Sequence, residues 1–253
     1  MNNTLEQRNA GHSLAHILQY NTGKSPTAFQ VMQAAIPDTD ANILLVQEPL
    51  LLDGTPYTLD DFHCFASHKQ ACQTGTYVRR KAFKSTSVIS DPYSDFLVVL
   101  LTLYSKDRKP TTINIANCYN RLQNCNWRIR DQPTHSLDTL FHEIFTLADL
   151  VAGHINKHHH KWENGHQPSQ WAQNLVDICN AANLWLANCP NTPTCYSIKN
   201  NRLAVLDLIF FNQEHITVRN WHSHLEYKAL DHTPISYQAW PKTGTHQEYK
   251  GYN

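Results

Sequence analysis

Several polar residues of this 253-residue chain lie beside short apolar segments that have the length of β-strands. They are Asn21, Glu48, Tyr119, His154, Asn156, Asp231 and His232. Strand ends hold side chains at a rim where rigid backbone meets solvent. Carboxylates there can hold a hard cation such as Mg²⁺, which neutralises phosphate charge and activates water, and a histidine can stabilise developing negative charge. The set therefore points to metal-assisted phosphoryl chemistry.

Asp207 is the most informative single residue, because it lies inside the apolar run AVLDLIFF at residues 204–211. A carboxylate buried in such a run requires a partner, which favours a functional interpretation. The other residues each have a plain structural explanation when taken alone. Glu48 before Pro49 is compatible with a solvated loop, and Asn21 before Thr22-Gly23 is compatible with a turn.

The remaining pattern predicts strands and helices in mixed order. Predicted strands cover residues 15–19, 42–47, 64–67, 75–79, 86–89, 96–104, 112–118, 150–152, 184–187, 204–210, 216–221 and 234–237. Predicted helices run from Ser25 to about Ile36, where Pro37 ends the helix, from Thr134 to Phe145, and from Ser169 to about Ala182. Strands at both ends of the chain with helices between them indicate an α+β domain of two layered sheets.

The composition indicates a folded intracellular domain, since 41% of the residues are hydrophobic and 17% are charged. We expect a polar lead at residues 1–14, one domain at residues 15–242 and a polar tail at residues 243–253. Seven cysteines without a CxxC pair indicate reduced thiols, as in a nuclear or cytoplasmic protein. No signal core precedes residue 13, and the longest apolar run, Phe96–Leu103, is too short to cross a bilayer.

The charge balance restricts where nucleic acid could bind. The 21 Lys and Arg residues equal the 21 Asp and Glu residues in number, so contact with a phosphate backbone needs a local basic patch. The best candidate patch comprises Arg79, Arg80, Lys81 and Lys84, although a solvated hairpin explains these residues about as well. Arg128 and Arg130 form a weaker second candidate.

Seven segments resemble the endonuclease domain of LINE-type, non-LTR retrotransposons, within the endonuclease/exonuclease/phosphatase superfamily. They occur in that family's order and spacing: LQYNTGKS (18–25), ILLVQEP (43–49), YVRR (77–80), NCYN (117–120), AGHINKHHHKW (152–162), VLDLIFF (205–211) and LDHTPI (230–235). The most specific piece combines His158, His159 and Trp162 shortly after Asn156. The resemblance covers roughly residues 15–240.

The resemblance implies a four-layer α/β/β/α sandwich, with two mostly antiparallel sheets packed face to face and helices outside. It also implies nicking of DNA with Mg²⁺, or with Mn²⁺, by a monomer that needs no small-molecule cofactor. Carried over to this sequence, Glu48 and Asp231 would bind or support the metal, and Asn21 and Tyr119 would contact the phosphate. Asn156 would position the attacking water, His232 would stabilise the transferring phosphoryl group and Asp207 would hold the His232 ring. His158 and His159 are candidate DNA contacts.

One departure from the family pattern bears directly on activity. The family has Gly-Asp-Phe-Asn where this chain has Gly153-His154-Ile155-Asn156. The expected aspartate would activate water, whereas an imidazole is bulkier and carries no negative charge. Loss of a positioned acid or base typically costs about 10²–10⁴-fold in rate. We therefore expect strongly reduced or absent nuclease activity, with His154 as the residue in the catalytic position.

Three functions remain open at this stage. They are an attenuated endonuclease, a decayed or domesticated copy that binds nucleic acid without catalysis, and a phosphodiesterase of the same fold with a non-DNA substrate. A transition-metal site formed by His154, His158, His159 and His160 is a further possibility, because imidazoles favour Zn²⁺, Ni²⁺ or Cu²⁺ over Mg²⁺. A surface run of histidines explains that cluster better.

Overall fold

The computed structural model describes residues 14–66, 72–83, 85–90, 95–104, 110–120, 137–197, 201–227 and 229–242 of the chain. The expected tail at residues 243–253 and all but the last residue of the expected lead fall outside these ranges. Among the helices within them, none combines the length and the apolar character that crossing a lipid bilayer requires.

The first of two large sheets has six strands. They are β1 (Ala15–Asn21), β2 (Ile43–Gln47), β5 (Phe62–Ala66), β6 (Thr74–Arg79), β15 (Ile216–Ser223) and β16 (Ile235–Pro241). Their spatial order is β15-β16-β1-β2-β6-β5, with β1 and β2 parallel and the other neighbours antiparallel. All five residues of β2 are buried, whereas buried residues alternate along β16. The central strand is therefore covered on both faces.

The second sheet also has six strands. They are β7 (Ser85–Ser90), β8 (Phe96–Tyr104), β9 (Pro110–Tyr119), β10 (Leu150–His154), β11 (Leu184–Leu186) and β14 (Asp207–Asn212). Their order is β11-β14-β10-β9-β8-β7, and only β9 and β10 are parallel among the neighbouring pairs. Each large sheet thus has one parallel pair at its centre.

Two small hairpins, three helices and a short 3₁₀ turn complete the described structure. The hairpins pair β3 (Leu51–Leu52) with β4 (Thr55–Pro56), and β12 (Cys195–Ser197) with β13 (Arg202–Ala204). The helices are α1 (Pro26–Thr39), α2 (Leu137–Leu147) and α3 (Gln170–Ala181), and the 3₁₀ turn is Leu225–Tyr227. Ser25 and Ser169 cap α1 and α3, because each hydroxyl accepts a backbone N–H three residues later.

Three apolar clusters define the layers. The largest lies between the two sheets and contains inward residues of both, such as Ile17, Leu45, Val99 and Ile209. A second cluster packs α2 and α3 against the outer face of the second sheet, and a third packs α1 against the outer face of the first. This arrangement confirms the predicted four-layer sandwich with mostly antiparallel sheets.

Two predicted elements differ from those observed. Helix α1 includes Pro37 in its last turn and ends where Asp40 adopts a left-handed conformation, with φ of 52°. The predicted strand at residues 204–210 is divided between β13 and β14, since the backbone N–H groups of Leu206 and Asp207 both donate to the Thr194 hydroxyl. That break turns Asp207 into the first residue of β14.

Asn117 connects the sheets by polar contacts inside the core. Its fully buried side chain donates to the carbonyl oxygens of Gly75 (3.1 Å) and Val46 (3.3 Å) in the first sheet. The Gln47 side-chain amide donates to the Asn117 Oδ1 at 2.7 Å. Buried polar groups of this kind require partners, so these contacts restrict how the two sheets are placed relative to each other.

Gly153 is required by the close approach of β10 and β9. A Cβ atom at residue 153 would lie 1.9 Å from the backbone oxygen of Cys118. We predict that Gly153→Ala lowers the free energy of unfolding by about 3 kcal/mol, because backbone rather than a flexible side chain must move. Urea denaturation measures this loss.

Gly165 offers the matched control. It has a φ of +80°, but a Cβ atom there would meet nothing within 4 Å. Gly165→Asn should cost less than about 1 kcal/mol, because asparagine tolerates the left-handed region. Equal costs at the two glycines would contradict the steric argument.

Candidate active site

The candidate site lies at one end of the two parallel strand pairs. Asn21 is the last residue of β1, and its register partner Gln47 precedes Glu48. Tyr119 and His154 are the last residues of β9 and β10 and are register partners. Parallel neighbours end at the same edge, so the topology gathers these side chains as the sequence predicted.

Asp207 is placed at this edge because β14 runs antiparallel to β10. Its register partner is His154, the last residue of β10. His232 precedes β16 and forms an isolated β-bridge with Cys195 of the β12–β13 hairpin. The loop that leads into β16 of the first sheet therefore contacts the β12–β13 hairpin through His232.

The Asp207 carboxylate lies between two imidazoles. Its side chain is 3% exposed, with Oδ2 at 2.8 Å from Nδ1 of His232 and Oδ1 at 3.2 Å from Nδ1 of His154. The two rings are nearly perpendicular with centroids 4.8 Å apart, and Tyr119 stacks on His154 at 5.5 Å. Both carboxylate oxygens are thus occupied by ring nitrogens.

These contacts shift two pKa values in opposite directions. Burial alone would raise the pKa of Asp207, but the charge of His232 and the hydrogen bonds from both histidines hold it well below its usual range. Burial alone would lower the pKa of His232, but attraction to Asp207, the hydrogen bond between them and a contact with Cys195 raise it. The stable form of the pair is therefore a carboxylate with an imidazolium.

Glu48 has a backbone conformation that is rare for its residue type. Its φ is 46°, and its carbonyl oxygen accepts hydrogen bonds from the Thr22 hydroxyl at 2.7 Å and the Lys24 amide at 2.8 Å. Its own amide donates to the Gln73 carbonyl at 2.8 Å. Strained backbone held firmly on both sides is typical of functional sites. Within the described residues the Glu48 carboxylate itself has no hydrogen bond or ion pair.

Two asparagines complete the predicted set. Asn21 is buried, and its Oδ1 accepts the Gly23 amide at 3.0 Å, which fixes the side chain. Asn156 has a φ of 55° and donates from Nδ2 to the Asn120 carbonyl at 3.4 Å. The Asn156 side chain is half-buried and follows β10 directly, at the same edge as His154.

Cation-binding groups are present at this edge. Two of the clusters whose ligand atoms lie within 4.8 Å of one another are His154 with Asp207 and His232, and Cys195 with Asp231 and His232. The Asp231 side chain is half exposed, and its Oδ1 lies 3.9 Å from Nε2 of His232, too far for a hydrogen bond. The free carboxylates of Glu48 and Asp231 therefore suit a hard divalent cation, whereas Asp207 is already neutralised by His232.

Two neighbours of Asp207 were not anticipated from the sequence. The Thr194 hydroxyl accepts the Asp207 amide at 3.0 Å, and the Thr194 carbonyl accepts the Thr233 amide at 3.0 Å. Cys195 is buried beside His232. Thr194 precedes the hairpin β12–β13 and Cys195 begins it, and its strands of three residues each are too short to give a strand pattern in the sequence.

The predicted DNA contacts fall into different environments. Arg79 donates to the Ala41 carbonyl at 2.9 Å and lies over the Phe62 ring, and Arg80 donates to the Phe62 carbonyl at 3.3 Å. Both guanidinium groups therefore help to hold the β5–β6 hairpin. Lys81 is exposed, whereas Lys84, Arg128 and Arg130 lie outside the described residues.

His159 and His158 differ sharply in exposure. His159 is fully buried against Trp162, with ring centroids 5.0 Å apart, so the expected contact between His159 and DNA is incompatible with this structure. Burial lowers the pKa of His159, which favours the neutral ring. His158 is 41% exposed through its side chain and remains accessible.

The Asp207–His232 pair predicts a stability that depends on pH. The lowered pKa of Asp207 contributes stability above about pH 4, which is lost as pH falls through the folded value. The raised pKa of His232 contributes stability below about pH 6.5, which is lost as pH rises through the folded value. We predict that Asp207→Asn costs about 2–3 kcal/mol at pH 5.5 and clearly less at pH 9.

Urea unfolding at the two pH values measures this difference, and an NMR titration of His232 in both proteins measures its pKa directly. The groups that face His232 are Asp207, His154, Cys195 and Asp231. Of these, only Asp207 changes in the variant. An equal cost at both pH values, or an unchanged pKa of His232 in Asp207→Asn, would contradict the assignment.

Comparisons with known proteins agree with this geometry. Residues 113–236 match the sequence profile of a family described as endonuclease-reverse transcriptase. No curated protein sequence matches the chain. The endonuclease domain of TRAS1, a telomere-specific non-LTR retrotransposon, has a similar structure with a TM-score of 0.64 at 15% identity, over 89% of this chain and 97% of that one.

Two enzymes of other kinds share the fold. The AP endonuclease LMAP from Leishmania major has a TM-score of 0.68 at 12% identity, over 90% of this chain and 88% of that one. The 3′ phosphatase NExo from Neisseria, bound to a product DNA hairpin, has a TM-score of 0.58 at 18% identity, over 88% of this chain and 98% of that one. The chain therefore shares its fold with these proteins, and with its profile match over residues 113–236 it resembles the endonuclease domains of non-LTR retrotransposons.

Proposed function

We propose that the chain is a LINE-type DNA endonuclease domain whose hydrolytic step is attenuated or absent because of His154. The observation that carries the proposal is the 3.2 Å contact between Nδ1 of His154 and Oδ1 of Asp207. By the sequence resemblance, this imidazole takes the position of the water-activating carboxylate in the family pattern. The remaining residues of that pattern are retained at the same edge of the two sheets.

His154 is a poor replacement for a carboxylate in this setting. Its Nδ1 is engaged by Asp207, so only Nε2 remains to accept a proton from water. The His232 ring, which the Asp207 charge keeps protonated, lies 4.8 Å away between centroids. Beside this imidazolium, residue 154 brings no negative charge to the site, whereas the carboxylate of the family pattern would bring one to a bound cation.

The other side chains suit recognition of a phosphodiester. The imidazolium of His232 can donate to a phosphate oxygen, and Asn21, Asn156 and Tyr119 offer amide and hydroxyl donors at the same edge. Glu48 and Asp231 would hold the divalent cation, Mg²⁺ or alternatively Mn²⁺. When bound, such a cation neutralises phosphate charge and lowers the pKa of bound water. Binding of the phosphate therefore does not depend on the water-activating carboxylate that His154 replaces.

DNA is the proposed substrate or ligand, with the chain acting as a monomer. In support, solved structures of similar fold include TDP2 from D. rerio complexed with a single-stranded DNA product, and NExo with a DNA hairpin. The net charge of zero limits the electrostatic contribution to local groups. Arg80 and Lys81 are both exposed, and Lys81 is the better-placed phosphate contact because the Arg80 guanidinium already donates to the Phe62 carbonyl.

Nicking of supercoiled plasmid tests the proposal. We predict that His154→Asp nicks DNA about 10²–10⁴-fold faster than the chain as it stands, with Mg²⁺ or Mn²⁺, because a positioned base is restored. Glu48→Ala in the His154→Asp background should abolish the gain and exclude contamination. Robust nicking by the unmodified chain that Glu48→Ala removes would overturn the attenuation.

Nucleic-acid binding without catalysis is the second candidate function. It is favoured because both oxygens of the Asp207 carboxylate already contact imidazoles. DNA affinity measured against salt concentration tests whether the chain binds DNA at all, which both candidates require. We predict that the chain and His154→Asp bind a duplex in the absence of cation with similar affinity, and that Lys81→Ala lowers the slope of log K against log salt by about one. Lys242→Ala is the matched surface control. Failure of both proteins to bind DNA would direct attention to phosphodiesters other than DNA.

A further inference from the structure

A second cluster of ionisable side chains lies outside the candidate active site, in the loop between β10 and α3. It consists of His158, Glu163 and His166, whose ligand atoms all lie within 4.8 Å of one another. Nδ1 of His158 lies 2.6 Å from Oε2 of Glu163, and Nε2 of His166 lies 3.2 Å from Oε1. Each oxygen of one carboxylate therefore faces a different ring nitrogen.

The cluster is rigid and mostly shielded. The Glu163 residue is 8% exposed, and the two imidazole rings stack nearly parallel, with centroids 4.3 Å apart and planes 10° from parallel. Trp162, fully buried, donates from its indole nitrogen to the Lys157 carbonyl at 3.0 Å. The Glu163 amide donates to the His159 carbonyl at 2.9 Å, so the loop holds these ligands in place.

No arrangement of protons on His166 satisfies both hydrogen-bonding neighbours of its Nε2. Its Nε2 faces Glu163 Oε1, which requires a proton on the nitrogen, and also faces the Nη2 donor of Arg202, which requires a lone pair there. No single protonation state serves both contacts. A metal cation bound to the Nε2 lone pair would satisfy the imidazole and the carboxylate together, and the exposed Arg202 side chain is free to turn into solvent.

We propose that His158, Glu163 and His166 form a site for a transition-metal cation, Zn²⁺ above all. Two imidazoles and one carboxylate are a common zinc ligand set, and they suit a borderline-soft cation better than Mg²⁺. The 41% exposure of the His158 side chain leaves an open direction for a fourth ligand such as water. The site differs from the histidine cluster expected from the sequence, because His154 contacts Asp207, His159 is buried against Trp162 and His160 is exposed.

Calorimetric titration of the full chain with zinc chloride tests the site. Other histidine clusters could also bind Zn²⁺, including His222 with His224 and Glu226, so the number of bound ions is compared among matched variants. Glu163→Gln and His166→Asn should each lose one equivalent of Zn²⁺. His160→Asn should keep it, since His160 belongs to none of these clusters.

Two further measurements keep the test decisive. Arg202→Gln removes the competing guanidinium and should bind this Zn²⁺ equivalent more tightly, by about tenfold or more. At 100 times the dissociation constant, Zn²⁺ should raise the Tm of the unmodified chain by about 5–10 °C and that of Glu163→Gln by less. Wild-type stoichiometry in both Glu163→Gln and His166→Asn would overturn the site. If those variants fail to fold, unchanged affinity in Arg202→Gln overturns it instead.

Discussion

The negative charge of Asp207 is buried at the first position of β14, and the arrangement of the candidate site follows from compensating it. The backbone amide of Asp207 is fixed by Thr194, and its carbonyl accepts the Asn188 side chain at 3.0 Å. Its two oxygens take ring nitrogens from His154 and His232. Because an unpaired buried charge is costly, any change at this residue affects both sheets and the β12–β13 hairpin at once.

The contact with this carboxylate also explains how the residue at position 154 can change the charge of the site without changing the fold. An aspartate at residue 154 would add a negative charge next to Asp207, and a bound cation would then lower the repulsion between the two carboxylates. An imidazole there removes that repulsion and uses one Asp207 oxygen itself. The strand pairing of β10 with β9 and β14 depends on backbone groups and on Gly153, so the scaffold tolerates either side chain.

The strands that carry the site were predictable because their apolar runs are long or flanked by clear turn residues. Asn21, Tyr119 and His154 could be placed at one edge for this reason. The hairpin that contributes Cys195, with Thr194 just before it, was not predictable, since its strands have only three residues each and their position depends on contacts with Thr233 and His232. The sequence also does not indicate which histidines are buried. Nothing in it distinguishes His159, which stacks on Trp162 in the interior, from its exposed neighbour His160.

The loop from Asn156 to His166 connects the two proposed cation sites, which suit different kinds of metal ion. At one end, Asn156 adopts a left-handed conformation just after β10, at the edge where a hard cation is proposed to bind. At the other end, His158 and His166 face a single buried carboxylate and suit a softer one. Between these ends, His159 contacts the Gln173 side chain of α3 at 3.3 Å, and Trp162 packs on Phe210 of the second sheet and donates to the Lys157 carbonyl within the loop. A cation at the histidine end would therefore stiffen the segment that presents Asn156, without contributing a ligand to the active site.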